Sequence, residues 1–135
     1  AKALPALVLG TENKSEHYLG YYTRFGDEAS DIEPIRNLYK TEVFELAKYL
    51  GVPQEIIKQA PTAGLWSGQT DEGQFGFSYK DADEVLYGLF EAGKNESDLV
   101  KAGLTQEVVA NVKKWAESVE FKNHLPYVST EPVLK

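Results

Sequence analysis

The stretch Gly10-Thr-Glu-Asn-Lys-Ser-Glu16 lies between a short apolar run and an amphipathic segment. A turn from strand into helix leaves backbone N–H groups free beside the positive end of a helix dipole, which suits phosphate. Hydroxyl and carboxylate oxygens at such a turn also suit Mg²⁺, a hard cation. A structural reading competes. Asn13-Lys-Ser-Glu16 has the spacing of a capping box, in which Glu16 returns to a backbone donor. Spacing alone favours the cap.

Lys40 is equally two-sided. It falls in the first turn of a predicted helix, where a cation opposes the macrodipole by about 0.3–1 kcal/mol. A bound phosphate would relieve that cost; without one, Lys40 is a surface lysine. Asp27, Glu28, Asp31 and Glu33 crowd one loop. They could bind a cation or position an amine, but such runs are more often solvated faces. His17 and His124 are the only histidines. They lack metal-ligand spacing and read as structural or solvent-facing. No nucleophile motif is present.

The elements that must position these residues follow from periodicity. Ala6 to Leu9 reads as one buried strand ending at Gly10. A helix is expected next, with Tyr18 to Phe25 as its apolar-periodic part and Gly26 as its stop. Asp27 to Pro34 should be a loop. Leu38 to Leu50 reads as a helix stopped by Gly51, followed by a short helical piece from Gln54 to Gln59. Ala60 to Tyr79 has four glycines and no period, which predicts a long loop of the binding or lid kind. Helices are expected over Asp81–Ala92, Glu96–Ala102 and from Thr105 onward, and the tail from Phe121 should be extended. One strand followed by helices suggests the trailing part of an α/β domain, whose ligands bind beyond the strand's carboxyl end.

Bulk composition narrows the classes. The chain has 135 residues, 42% of them hydrophobic and 26% charged, enough for one domain with a core. Its net charge of -7 argues against a nucleic-acid surface. No run is long enough for a membrane helix, and Ala1 to Pro5 lacks the form of a signal peptide. Cysteine is absent, which excludes disulfides and fits a cytoplasmic protein. Methionine is absent too, even at position 1, so a fragment or processed form is expected.

Seven blocks taken in order resemble the second half of ammonia-dependent NAD synthetases. They are Leu7 to Glu16, Gly20 to Asp27, Asp31 to Pro34, Leu38 to Thr41, Ala60 to Trp66, Gly68 to Gly73 and Lys122 to Pro126. Each is weak alone; their order and spacing are specific. The resemblance implies an α/β, Rossmann-like adenine-nucleotide alpha-hydrolase (ATP pyrophosphatase) fold, incomplete here and mostly helical after the strand. Residues 1–135 would be the C-terminal part of a single domain acting as a homodimer. It also implies the reaction: ATP adenylates deamido-NAD with release of pyrophosphate, and ammonia displaces AMP to give NAD, with Mg²⁺ as cofactor.

By the same resemblance, Thr11, Lys40 and Thr62 would hold ATP and Glu16 would bind Mg²⁺. Arg24, where the family usually has lysine, would contact deamido-NAD. Asp31 would do so near the reacting end, as the catalytic candidate. Phe121 and Lys122 match a substrate-contacting pair in which histidine commonly precedes the lysine. Gly64 to Phe77 would be the lid. The family's phosphate loop, of Ser-Gly-Gly-x-Asp-Ser type, is not among these residues, so the stretch alone is expected to be inactive. Other readings remain: another ATP-pyrophosphatase amide ligase, or a non-catalytic nucleotide-binding or dimerisation module.

Overall fold

The structure, a computed structural model, describes residues 3–124, 126 and 127. Two helices carry the core. Helix α5 (Tyr79–Leu86) buries Tyr79, Ala82, Val85 and Leu86. Helix α7 (Gln106–Val119) buries Val109, Val112 and Ala116 against it. Both stripes follow the predicted helical period, and full burial of each valine or leucine stabilises the fold by about 1.5–3 kcal/mol. Ser78 caps α5 and Thr105 caps α7, each hydroxyl accepting from a first-turn N–H. Helix α5 runs on into a π-helical turn, Tyr87–Glu91. Helix α6 (Glu96–Lys101) adds Leu99 to the core.

The remaining elements wrap this pair. Helix α1 (Lys14–Tyr18) and helix α2 (Lys40–Tyr49) pack on α5. Helix α3 (Gln54–Ile57) is one turn. The predicted loop from Ala60 to Tyr79 contains a further helix, α4 (Asp71–Phe75). Thr70 caps it and Gly76 ends it at φ 79°, a left-handed conformation that glycine adopts without strain. Five residues are too few to register as a helical period, so only the cap and stop residues signalled it. Phe75 and Phe77 stack on each other, and Trp115 of α7 meets both edge-on.

Three expectations need correction. The predicted strand is extended but not buried: Leu7, Val8 and Leu9 are 67%, 41% and 64% exposed. Its only pairing among the described residues is a parallel bridge between Leu9 and Ile32. A parallel strand buries its side chains only when elements cover both faces, and here one short segment is its neighbour. The helix expected through Phe25 ends at Tyr18. Gly20 turns the chain at φ 57°, and a Cβ there would lie 2.7 Å from Val119 Cβ, so the turn and its packing on α7 both need glycine. The expected extended tail begins instead as a 3₁₀ turn, Glu120–Asn123, and most of the rest lies outside the described residues.

Candidate functional site

The Gly10–Glu16 turn is held from several directions. Gly10 N–H donates to Ile32 O at 2.7 Å, and Lys14 N–H to Leu38 O at 2.8 Å. The predicted capping box forms: Asn13 Oδ1 accepts from Glu16 N–H at 3.0 Å, and Glu16 Oε2 accepts from Asn13 N–H at 3.1 Å. Glu16 keeps its other oxygen free of the cap. That oxygen, Oε1, lies 2.9 Å from Lys40 Nζ. Lys40 begins α2, and its ammonium also sits 5.2 Å from the centre of the Tyr79 ring. A cation at a helix start thus finds a carboxylate and an aromatic face.

A polar anchor fixes this pair. Asp83, buried on α5, accepts from Ser15 Oγ at 2.5 Å, from Thr41 N–H at 2.9 Å and from Thr41 Oγ1 at 2.7 Å. Ser15 Oγ in turn accepts from Lys40 N–H at 2.7 Å. One carboxyl therefore binds the starts of α1 and α2 together. Burial pushes the Asp83 carboxyl above its usual value, and the Ser15 and Thr41 donors pull back.

Thr11, Glu16, Lys40 and Thr62 line one cleft of about 350 Å³, with Asp27 and Asp71. Asp71 is 4% exposed. One of its oxygens accepts from Tyr79 Oη at 3.1 Å; the other, Oδ1, has no hydrogen-bond partner. Burial, then the negative charges of Asp71 and Glu16, raises the Tyr79 phenol far above its usual value. Sequence reasoning missed Asp71, Asp83 and Ser15. The available signal was Asp71 directly after the capping Thr70, which brings a carboxylate back to the glycine-rich loop's base.

Arg24 and Asp31 share a different groove, of about 400 Å³, with Glu28, Glu33 and Arg36. Arg24 Nη2 donates to Phe121 O at 2.6 Å, and its guanidinium lies 4.9 Å from the Phe121 ring centre. Asp31 Oδ2 accepts from Val8 N–H at 2.8 Å. Lys122 Nζ donates to Gly20 O at 2.5 Å and Tyr22 O at 2.8 Å, so its charge is turned onto backbone carbonyls. The nucleotide candidates thus converge in one cleft, while Arg24 lines two separate grooves, one with Asp31 and one with Phe121 and Lys122.

In the Gly64–Phe77 segment, Trp66 is 56% exposed whereas Phe75 and Phe77 are buried. The first half is therefore open to solvent and the second half is anchored. A larger groove of about 600 Å³ lies over α2 and α5, lined by residues such as Lys14, Tyr39, Glu42 and Tyr87, and none of the predicted site residues reaches it.

Known proteins resemble this chain in sequence and in fold. A family model described as NAD synthase matches residues 1–126. The NH(3)-dependent NAD(+) synthetase of Thermococcus kodakarensis is 49% identical over 127 residues, covering 93% of this chain and 50% of the relative. That of Fusobacterium nucleatum is 44% identical over 124 residues, covering 92% and 48%. The structure of NMN synthetase from Francisella tularensis superposes with a TM-score of 0.80 at 38% identity, over 97% of this chain and 50% of that one. The NH3-dependent NAD synthetase from Campylobacter jejuni, in complex with the nitrate ion, gives 0.67 at 35% identity, over 92% and 45%. The chain spans about half the length of the curated relatives it matches.

Proposed function

Because this chain belongs to the NAD synthase family, we propose that it supplies part of the active site for ATP-dependent amidation of deamido-NAD. The nicotinate carboxylate oxygen attacks the α-phosphorus of ATP, and pyrophosphate leaves. Ammonia then attacks the acyl-adenylate carbonyl and loses a proton, and AMP leaves with the bond electrons. The observation that carries this reading is the convergence of Thr11 and Glu16, Lys40, and Thr62, from three separate stretches of sequence, on one cleft.

In this reading Thr11 and Thr62 hydroxyls donate to ATP, and Lys40 releases Glu16 to pair with phosphate, a stronger charge-assisted contact. Arg24 and Asp31, with Phe121 and Lys122 behind them, orient deamido-NAD on the flank. The cleft's oxygen donors fit Mg²⁺: Glu16 contributes a carboxylate, and Asp71 brings a buried oxygen without a partner. Bound there, Mg²⁺ would neutralise phosphate charge. The open half of the Gly64–Phe77 segment would exclude water from the adenylate. A Rossmann-like ATP pyrophosphatase fold, a homodimer and a cytoplasmic setting belong to the same proposal.

The likeness to an NMN synthetase favours a second substrate, the corresponding mononucleotide acid. Measuring AMP formation by the polypeptide that carries this chain, with ATP, Mg²⁺ and ammonia, separates the readings. AMP released with deamido-NAD supports the first, and AMP released only with the mononucleotide supports the second. No AMP with either returns the chain to a non-catalytic nucleotide-binding role. The isolated 135-residue stretch, which has no Ser-Gly-Gly-x-Asp-Ser loop, should show no turnover.

A further inference from the structure

We propose that Glu12, His17 and Glu28 form a binding site for one zinc-class divalent cation, separate from the Mg²⁺ cleft. One ligand atom from each lies within 4.8 Å of the others. Zn²⁺ bonds of about 2.0–2.2 Å place tetrahedral ligands roughly 3.3–3.6 Å apart, so side-chain rotation of about 1 Å closes the set. An imidazole with carboxylates suits Zn²⁺ or its transition-metal neighbours and not Mg²⁺, which takes oxygen ligands.

Glu12 is the independent sign of a missing partner. It is 6% exposed, and neither of its carboxylate oxygens accepts a hydrogen bond. The nearest cationic atoms are Arg36 Nη1 at 3.4 Å and, if it were protonated, His17 Nδ1 at 3.6 Å. Burying a carboxylate with so little compensation is costly. Three carboxylates, Glu12, Glu28 and Glu33, share the one Arg36 guanidinium.

The imidazole is set for a cation. Arg36 Nη2 lies 2.6 Å from His17 Nδ1. A guanidinium has no acceptor, so Nδ1 presents its lone pair toward the cluster and the proton sits on Nε2. The ring is stacked on Tyr22, with centroids 6.2 Å apart and planes 14° apart, which fixes its direction. Arg36 holds the place a metal would take, and it has somewhere to withdraw. Its Nη1 is paired with Glu33, one helical turn away in sequence, while Nη2 alone faces His17 and Glu28. The cation replaces Nη2 at the lone pair of Nδ1 and gives Glu12 the charge it lacks.

The test is calorimetric titration of Zn²⁺ into the purified 135-residue chain, in excess Mg²⁺ so that oxygen-only sites are filled. One equivalent should bind. His17→Ala should weaken binding at least tenfold, since even outer-shell changes at metal sites cost about 10–100-fold. His124→Ala, which removes the only other histidine, should leave it unchanged. Should His17→Ala fail to fold, Glu28→Gln serves the same comparison. Arg36→Met should tighten binding, and Zn²⁺ should raise its thermal midpoint more than that of the wild type. Absence of one-to-one binding, or binding lost with His124 and kept without His17, overturns the site.

Discussion

Lys40 Nζ lies 2.9 Å from Glu16 Oε1, so two side chains assigned different ligands from sequence hold each other. Each is about four-fifths buried at the side chain. The pair neutralises its own two charges while it holds. In the proposed function this resting contact stands in for both ligands.

Substituting Lys40 by Met tests the phosphate role. In the polypeptide that turns over ATP, kcat/KM for ATP should fall by about 1.5–3 kcal/mol of lost charge-assisted binding. Stability should fall only modestly, because Glu16 keeps its capping bond to Asn13 N–H when Lys40 is gone. ATP kinetics within twofold of wild type would leave Lys40 as a partner of Glu16 only. Glu16→Gln gives the complementary result. Capping boxes accept glutamine, so thermal unfolding should hold while the Mg²⁺ requirement for turnover rises. An unchanged Mg²⁺ titration would restrict Glu16 to its cap.

Limited proteolysis reads the 60–79 segment. Leu65 and Trp66 are exposed, whereas Phe75, Phe77 and Tyr79 are buried. Chymotrypsin should therefore cut after Leu65 or Trp66 and spare the aromatics beyond Thr70. With ATP and deamido-NAD bound together, cleavage at Leu65 and Trp66 should slow. Equal rates with and without ligands would remove the lid from the mechanism.

Helix α7 and the apolar face of α5 were legible in the sequence because each places residues such as Val109 and Val112, or Val85 and Leu86, on one stripe several turns long. The cap at Asn13 was legible for the same local reason. Asp71 and Asp83 were not. What matters about them is their distant partners: Asp83 meets Ser15 at a separation of 68 residues. No local pattern encodes that. The predicted strand failed differently. Its apolar run was recognised, but exposure depends on which elements cover it, and composition carries no information about that.

Asp83 predicts an acid-side signature. Burial raises its carboxyl above the usual 3.8, outweighing the Ser15 and Thr41 donors. Above pH 3.8 the folded protein therefore holds this proton more tightly than the unfolded chain. Its stabilising contribution is complete below 3.8 and is lost as pH rises through the raised folded value. Asp83→Asn does not titrate. Denaturant unfolding of both proteins across this range should show the wild type's stability, relative to the variant, falling as pH rises. A relative gain with pH would mean that the donors outweigh burial.

The grip of α7 and its 3₁₀ extension on residues 19–22 has a kinetic consequence. Trp115 Nε1–H donates to Leu19 O at 3.0 Å across 96 positions, and Lys122 reaches Gly20 O across 102. Forming such contacts closes a loop of nearly the whole described chain, an entropic cost of about 4 kcal/mol by the logarithmic law of chain closure. The α5–α7 pair, separated by only short connections, can assemble before that cost is met. Residues 19–22, which follow α1, cannot be locked against α7 until it is met. Refolding should thus order the helical core first and the contact of residues 19–22 with α7 last, with the indole of Trp115 as a fluorescent reporter of that final step.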